Sequence, residues 1–542
     1  MLFYYNYKMQ LINHFEDGYY PSDTQKFILD KVELALNKNK KFIIISAPTG
    51  SGKSFISKTL ANYSRNIDNR LIDLVDAHDY NSITENNFIP GGCYCLTITK
   101  NLQDQYLNFF NDAYCFKGKN NYQCSYNNEL DCDCGACATV PSIKTKCIFK
   151  RACPYYVDRD EILINKFSIL NYASFFKLSK PMRKRQFIVC DEASELEDEL
   201  VNNFSLELKY KELKYFGIDV TPISKNISST KFQIWVFDLE RQVNEELNRH
   251  ISRMKNIKKE LGITTKDASK YKFLMNLSTV ITYITGYWNE CDYLIDYADE
   301  LKVNIMPTYV YPLAQYIFNY ADTVVLMSAT IINHKKFAET LGINDYEYIE
   351  APSSFDPKKA PIYVINGNIL NYKNLDYMLP KLNKQINDIC NFHKNVKGII
   401  HTHTQKISDY FKTANFNNSR FTIRSKTLTN DEVLEIHKEK ENSVIISPSM
   451  TFGVDLKDDL ARFQIIVKIP WLPLGSERIK KIASKDREWY IMKMFNILIQ
   501  SCGRGIRTTE DWCNTYILDS SIKQLLIDYQ NILPKYFINR FV

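Results

Sequence analysis

The stretch that most constrains the fold is a β-branched run, a glycine-rich turn and a helical segment in immediate succession. Residues 41–47 (KFIIISA) have the composition of a buried strand, and residues 55–63 have that of a helix. The turn between them (APTGSGKS) fits the phosphate-loop pattern G-x-x-x-x-G-K-[ST], except that Ala47 replaces the first glycine. An ordinary glycine turn is the competing interpretation, but the strand before it and the helix after it favour a phosphate site.

Such a loop binds a nucleoside triphosphate largely through its backbone. Successive N–H groups and the N-terminus of the following helix face the β- and γ-phosphates. Lys53 adds a point charge, and Ser54 adds a hydroxyl for Mg²⁺. The sequence therefore predicts a nucleotide and magnesium site. The residues predicted to form it here are Thr49, Gly50, Ser51, Gly52, Lys53 and Ser54.

Further short apolar runs alternate with helical stretches, which is typical of parallel α/β sheets. There are enough runs for two such sheets, and 542 residues are enough for roughly three or four domains. From residue 196 to about residue 312 the pattern changes to long Lys/Glu/Leu/Asn stretches, which predict a helical insertion. The predicted strands are residues 93–99, 187–190, 323–327, 398–401, 443–446, 463–469 and 515–518.

Composition excludes several classes of protein. Apolar residues make up 45% and charged residues 24%, which excludes wholesale disorder and coiled-coil rods. The net charge of +7 is a weak excess for this length, so it permits nucleic-acid binding without arguing for it. The apolar runs are far shorter than the ~20 residues of a membrane helix. We therefore expect a soluble, intracellular protein, located in the cytoplasm.

Seven of the fourteen cysteines lie within 39 residues, between Cys115 and Cys153. Thiols of an intracellular chain stay reduced, so this density indicates an iron–sulfur or metal site before it indicates disulfides. A set of inert buried thiols is the bland alternative. Four thiolates also suit tetrahedral Zn²⁺, and the run from Cys132 to Cys137 could form half of a zinc site.

Two further motifs suit triphosphate hydrolysis. Asp191 and Glu192 follow an apolar strand, where Asp191 can hold Mg²⁺ and Glu192 can orient or deprotonate the attacking water. Near the other end of the chain, Arg504 and Arg507 are spaced about one helical turn apart and can neutralise charge on a γ-phosphate. Taken alone, the carboxylates could be a solvated helix start and the arginines a solvated basic turn.

The ordered set of motifs resembles the XPD/DinG type of superfamily 2 helicases, the iron–sulfur DNA helicases. The resemblance runs from about Pro21 to Asp519, and the order of the motifs is more specific than any single one. Besides the phosphate loop, the Asp-Glu box and the arginines, the matching segments are residues 96–105, 117–124, 153–156, 171–173, 328–330, 353–355 and 453–455.

The resemblance implies two RecA-like parallel-sheet motor domains, with a cysteine-rich iron–sulfur insertion and a helical arch insertion in the first. Motor domain 1 would comprise residues 1–110, 155–196 and 317–350. The iron–sulfur domain would be residues 111–154, the arch residues 197–316, and motor domain 2 residues 351–542. It further implies ATP hydrolysis, 5′→3′ movement on single-stranded DNA and unwinding of forked duplex by a monomeric motor. The alternative is an ATPase that clamps or remodels DNA without unwinding it, with zinc or no metal at the cysteines.

The resemblance also assigns site residues. Gln25 would read adenine, and Asp455, Gln500, Arg504 and Arg507 would reach ATP from the second domain. The [4Fe–4S] ligands would be Cys124, Cys137, Cys147 and Cys153, with Cys132 and Cys134 as alternatives to Cys137. His401 and His403 invite a metal interpretation, but their position matches a strand-end nucleic-acid contact. The departures from the family pattern are Ser194 for the usual His, Phe452 for a common Glu, and Ser22 for the usual Arg.

Overall fold

The computed structural model of the chain describes residues 10–76, 88–135, 137, 147, 150–178, 182–256, 264–353, 355–415, 418–423, 430–448, 456, 458–506 and 510–542. None of the helices in these segments combines the length and the apolarity that a bilayer crossing requires.

In the described part of the chain, seven strands form one parallel sheet, in the order β10-β1-β9-β5-β2-β4-β3. Both faces of this sheet are covered: Ile44 packs into one core cluster, whereas Ile43 and Ile45 pack into another. Its strands are β1 (Phe42–Ser46), β2 (Cys93–Thr97), β3 (Tyr114–Phe116), β4 (Phe167–Asn171), β5 (Arg185–Asp191), β9 (Ala321–Ser328) and β10 (Tyr346–Glu350). Strand β3 lies inside the interval predicted for the iron–sulfur domain.

Helices cover this sheet and follow its strands, as crossover connections between parallel strands require. They are α1 (Asp23–Asn37), α2 (Lys53–Tyr63), α3 (Asn69–Asp76), α4 (Lys100–Phe109), α5 (Pro154–Ile164), α6 (Tyr172–Lys177) and α7 (Leu196–Phe204). Helix α1 begins with a capping box in which Ser22 and Gln25 satisfy each other's backbone N–H groups.

A second parallel sheet is built from six strands of the described residues, in the order β11-β16-β15-β12-β14-β13. They are β11 (Ile362–Val364), β12 (Gly398–His401), β13 (Phe421–Ile423), β14 (Val444–Ser447), β15 (Phe463–Ile466) and β16 (Asn514–Ile517). The two predicted parallel α/β sheets are thus confirmed, and every strand run named from the sequence contributes to one of them. Five strands of the described residues were not predicted: β3, β4, β10, β11 and β13. Each has only three to five residues, which is too short for a clear strand pattern.

The prediction that the insertion is helical is partly wrong. Besides helices it contains a three-stranded antiparallel sheet, in the order β6-β8-β7, made of β6 (Leu206–Lys209), β7 (Tyr293–Ala298) and β8 (Lys302–Pro307). Strands β6 and β8 alternate buried and less buried residues, which is the two-residue period of a strand. The strands were not predicted because they are too short for this period to stand out in the sequence. The helices here are α8 (Tyr210–Tyr215), α9 (Ser229–Asn256), α10 (Thr265–Gly286), α11 (Trp288–Cys291) and α12 (Tyr311–Phe318).

The remaining helices follow β9 or accompany the second sheet. They are α13 (His334–Thr340), α14 (Leu375–Phe392), α15 (Gln405–Ala414), α16 (Asn430–Glu439), α17 (Glu477–Lys485), α18 (Arg487–Cys502), α19 (Ile522–Tyr529) and α20 (Lys535–Ile538). Helix α18 is the core helix of this half, because most of its residues are buried.

Candidate nucleotide site and cysteine cluster

Strand order in the first sheet brings the phosphate loop and the Asp-Glu box together. Strands β1, β9 and β5 are parallel neighbours, with Ser46 in register with Ser328 and Asp191 in register with Met327. Their carboxyl ends therefore meet at one edge of the sheet, where ligands of open α/β sheets bind.

The phosphate loop has the backbone that its glycines permit. Gly50 and Gly52 have φ values of 78° and 74°, a left-handed conformation that side chains disfavour. The Gln25 amide donates to the Gly52 carbonyl oxygen at 3.2 Å, and a Cβ at position 52 would overlap that amide. Lys53 then begins helix α2, followed by Ser54 in its first turn. Gln25, predicted to read adenine, thus holds the loop itself.

The two carboxylates lie within reach of this loop. Glu192 Oε1 is 3.9 Å from Lys53 Nζ, and Glu192 Oε2 accepts a hydrogen bond from the Ser328 hydroxyl at 3.1 Å. Glu192 has a φ of 51°, a strained value of the kind found at functional sites. Asp191 accepts from the Tyr106 hydroxyl at 3.0 Å. Burial, followed by the charge of Glu192, raises the pKa of Asp191 to about 6, and a divalent cation would relieve this repulsion.

A chain of hydroxyls leads from Glu192 to the second half of the chain. Ser194 Oγ lies 2.9 Å from Ser328 Oγ and accepts from the Thr330 hydroxyl at 3.0 Å. The Gln500 amide, on α18, donates to Thr330 Oγ1 at 3.1 Å and to Ser194 Oγ at 3.4 Å. Ser194, which departs from the family pattern, therefore lies between Glu192 and α18, the helix that precedes Arg504 in the chain.

The arginine segment lies against the phosphate loop. A Cβ built on Gly503 would be 3.9 Å from Thr49 Oγ1, so the residue before Arg504 reaches the loop across the seam between the sheets. Asp455 and Arg507, which were predicted to contact the nucleotide, lie outside the described residues. So does Phe452, which was named as a departure from the family pattern. Ser354, within one of the matching segments, also lies outside them.

Several residues of this seam were not singled out from the sequence. Tyr536 donates to the Ala329 carbonyl oxygen at 2.7 Å, which brings the C-terminal helix to the end of β9. Tyr106 holds Asp191 from 85 positions away. Ser328 and Thr330 were noted only as a matching segment. No local pattern marks such residues, because each acts through a partner distant in sequence.

The cysteine-rich segment brings several thiols together. Cys132 Sγ lies 3.9 Å from Cys153 Sγ, and the Tyr156 hydroxyl lies 3.9 Å from Cys137 Sγ. Burial and the neighbouring thiols, Cys153 first, raise the pKa of Cys132. Burial likewise raises the pKa of Cys137, with further contributions from Cys124, Cys147 and Cys153.

The predicted ligand set omits Cys132, whose sulfur is nevertheless close to Cys153. Cys134 instead lies beside Lys272, Asp131 and Asp133. Within the described residues, no group of three or more His, Cys, Asp or Glu side chains is arranged to hold one ion. The donor chemistry still fits a thiophilic metal centre, because soft thiolates are the ligands of iron–sulfur clusters and zinc.

His401 and His403 stack with ring centroids 5.9 Å apart at the end of β12. Burial lowers the pKa of both, that of His403 to about 4, so both rings are neutral at pH 7. His403 has a φ of 55°. As with the cysteines, they belong to no metal-ligating group in the segments that the structure describes.

Comparison with known proteins agrees with this geometry. Residues 399–540 match the family model of the helicase C-terminal domain, and residues 19–227 match that of the type III restriction enzyme res subunit. A solved XPD helicase structure aligns over 96% of this chain and 99% of its own, with a TM-score of 0.64 and 16% identity. Residues 399–540 thus match a helicase domain, and the chain as a whole has the fold of the XPD helicase structure.

Two other solved structures are similar to this chain. An apo XPD structure has a TM-score of 0.55 and 15% identity, covering 93% of this chain and 97% of its own. S. tokodaii Xpd4 has a TM-score of 0.54 and 13% identity, covering 94% and 99% respectively. No curated protein sequence matches.

Proposed function

We propose that this helicase moves 5′→3′ on single-stranded DNA and unwinds forked duplex, with ATP bound at the seam between the two parallel sheets. The observation that carries the proposal is that the Gln500 amide donates hydrogen bonds to Ser194 and Thr330. Close to these contacts, Gly503 lies next to Thr49 of the phosphate loop. A triphosphate on the loop would touch both halves, so its hydrolysis would change how the halves are held together.

The first half would bind the phosphates and activate the attacking water. Backbone N–H groups of the loop and Lys53 would bind the phosphates, while Ser54 and Asp191 would hold Mg²⁺. The magnesium ion would neutralise phosphate charge. Glu192, held by Ser328, would accept the proton of the attacking water. Gln25 would contact adenine through the second N–H and the second oxygen lone pair of its amide, because Gly52 and Ser22 use one of each.

The second half would supply charge neutralisation. Arg504 and Arg507 would approach the γ-phosphate, and Asp455 and Gln500 would complete the nucleotide contacts. The proposed domain limits follow from this division: residues 1–110, 155–196 and 317–350 for motor domain 1, 351–542 for motor domain 2, 111–154 for the iron–sulfur domain and 197–316 for the arch. The motor would act as a monomer.

We further propose that the cysteine segment holds a [4Fe–4S] cluster through Cys124, Cys137, Cys147 and Cys153. The proximity of Cys132 to Cys153 makes Cys132 the competing ligand. Metal analysis and a visible spectrum of anaerobically purified protein test this proposal. Iron, sulfide and a broad absorption band near the blue edge are expected, whereas a colourless, zinc-loaded protein would contradict the cluster and leave the motor standing.

Steady-state ATPase and strand-displacement assays test the motor. Single-stranded DNA should stimulate hydrolysis, and a duplex with a 5′ tail should be opened while one with a 3′ tail is not. Glu192→Gln should retain ATP binding and lose turnover. Absence of hydrolysis by the wild-type chain, with DNA present, would refute the proposal.

A second candidate is a DNA clamp or remodeller that hydrolyses ATP without unwinding. It is favoured by one observation, the Ser194 hydroxyl in place of the family's usual imidazole at the contact with Gln500. Brisk ATP turnover with every tailed duplex left intact would support the clamp.

A further inference from the structure

A buried ionic cluster crosses the seam next to the nucleotide site, and its centre is Glu197, the second residue of α7. Glu197 Oε1 accepts from the Arg478 guanidinium at 2.6 Å. Its Oε2 accepts from the Trp489 indole N–H at 3.0 Å and lies 3.0 Å from Lys493 Nζ. All four residues are at most 5% exposed. None of them was predicted from the sequence as a site residue.

The cluster is charged in the folded protein. Burial opposes ionisation of Glu197, but Lys493 and Arg478 outweigh it and lower the pKa of this carboxyl to about 2. Lys493 also pairs with Asp198 at 2.9 Å, and Arg478 donates to the Pro307 carbonyl oxygen at 2.9 Å. Buried charges persist only when they are paired this closely, so loss of one partner leaves the others uncompensated.

The cluster holds α18, the helix that carries Gln500 and precedes Arg504 in the chain. Lys493 and Gln500 are seven residues apart on α18, about two turns, and thus share one face. Lys493 meets Glu197, and Gln500 meets Ser194 and Glu195, which precede α7 by one to two residues. Asn496 lies between them and lines a small cavity with Ser194 and Glu197. The two contacts are consecutive attachments of one helix to one segment.

The position of α18 along its own axis is therefore fixed by contacts with the first half of the chain. The helix ends at Cys502, and Gly503 and then Arg504 follow it. A shift of α18 along its axis by one residue, about 1.5 Å, would move Gln500 away from Thr330 and Gly503 away from Thr49. Reaction rates fall steeply with misplacements of this size.

We propose that Glu197 is a positioning residue for ATP hydrolysis, which fixes α18 so that Gln500 and Arg504 face the phosphate loop. The proposal rests on the proposed function. ATP is held mainly by the loop residues of the first half, so loss of Glu197 should affect turnover rather than nucleotide binding.

The test compares Glu197→Gln, Lys493→Met and Trp489→Phe with the wild-type chain in steady-state ATPase and in binding of a fluorescent ADP analogue. Glu197→Gln and Lys493→Met should each lower kcat about tenfold or more, leaving the ADP Kd and the KM for ATP within about twofold. Trp489→Phe keeps an aromatic but smaller ring and removes one hydrogen bond while leaving both ion pairs of Glu197, so a smaller loss of about threefold is expected. This mild variant reports on the cluster even where the others fail to fold.

Lys225→Ala is the matched control. Lys225 pairs with Glu477 at 2.6 Å across the same boundary, but both side chains are about a third or more exposed, and exposed pairs contribute little. Its kcat should stay within about twofold of wild type. The double variant Glu197→Gln/Lys493→Met should be no slower than the slower single variant, because both changes break the same contact.

Two outcomes would overturn the inference while sparing the proposed function. One is normal kcat in folded Glu197→Gln and Trp489→Phe, and the other is a loss of kcat matched by an equal loss of ADP binding, which would indicate a purely structural role. A wild-type chain without ATP turnover would refute the proposed function, and the positioning role with it.

Discussion

Removal of the Ser194 hydroxyl tests how the two halves communicate. In Ser194→Ala, four hydrogen bonds are lost, to Glu195, Ser328, Thr330 and Gln500. Each former partner keeps another: Ser328 still donates to Glu192, and Thr330 still accepts from Gln500. No buried polar group is therefore stranded by the change.

The expected cost follows from these retained partners. A hydrogen bond lost without stranding its partner costs about 1 kcal/mol, whereas a stranded buried group costs up to about 3 kcal/mol. The lower figure applies to each of the two short bonds, those to Ser328 and Thr330, because the other two are long at 3.4 Å. The total of about 2 kcal/mol corresponds to a Tm decrease of about 4–8 °C for a domain of roughly 200 residues. Because Glu192 keeps its Ser328 donor, kcat without DNA should remain within about twofold of wild type.

Ser328→Ala is the matched comparison, since its hydroxyl lies 2.9 Å from that of Ser194 but donates directly to Glu192. This variant frees the carboxylate, so kcat should fall about tenfold, as for loss of a positioned catalytic hydrogen bond. Differential scanning fluorimetry and ATPase assays with and without single-stranded DNA measure both effects. Equal losses of kcat in the two variants, or a Tm decrease above about 10 °C in Ser194→Ala, would refute this account of the network.

Three further predictions follow from the same structure. Lys53→Ala should lower kcat at least about a hundredfold by removing a preorganised charge at the phosphates, measured by ATP hydrolysis; a normal rate would contradict the assignment. Gly52→Ala should lower Tm through both its φ of 74°, about 1–2 kcal/mol, and overlap with Gln25; the added Gln25→Ala change should relieve only the overlap, and a full recovery of Tm would disprove the strain. Burial lowers the pKa of His437 from 6.5 to about 4, so the unfolded chain binds a proton that the folded chain does not, and stability should fall as pH decreases from about 6.5 to 4. The effect is on the order of 3 kcal/mol, and urea unfolding of wild type and His437→Gln should show it only in the wild type.

The phosphate loop could be predicted from sequence because its determinants are local. The β-branched run, two glycines with left-handed backbone and the Lys-Ser pair occupy consecutive positions, so strand, turn and helix follow without reference to the rest of the chain. The same holds for Asp191 and Glu192 at the end of an apolar strand. Buried parallel strands can also be recognised in the sequence, because both of their faces are apolar and they form continuous apolar runs.

Prediction was weaker where short strands or competing side chains were involved. Strand β6 has four residues and acquires its partner β8 almost a hundred positions later, so a helical interpretation of the insertion was wrong there. Among the cysteines, spacing alone could not show that Cys132 lies near Cys153 while Cys134 lies beside Lys272. Choices of this kind depend on which way each side chain points in a folded loop.

By itself, then, the amino-acid sequence determined the two parallel sheets, the phosphate loop, the carboxylate pair and the order of the motifs, since each is encoded by neighbouring residues. Only the tertiary structure decided that Ser328 holds Glu192, that Gln500 reaches Ser194, and that Glu197 is enclosed by Arg478, Trp489 and Lys493. These contacts join residues 136 to more than 290 positions apart. Their energies depend on burial and on distances of about 3 Å, and neither quantity exists until the chain has folded.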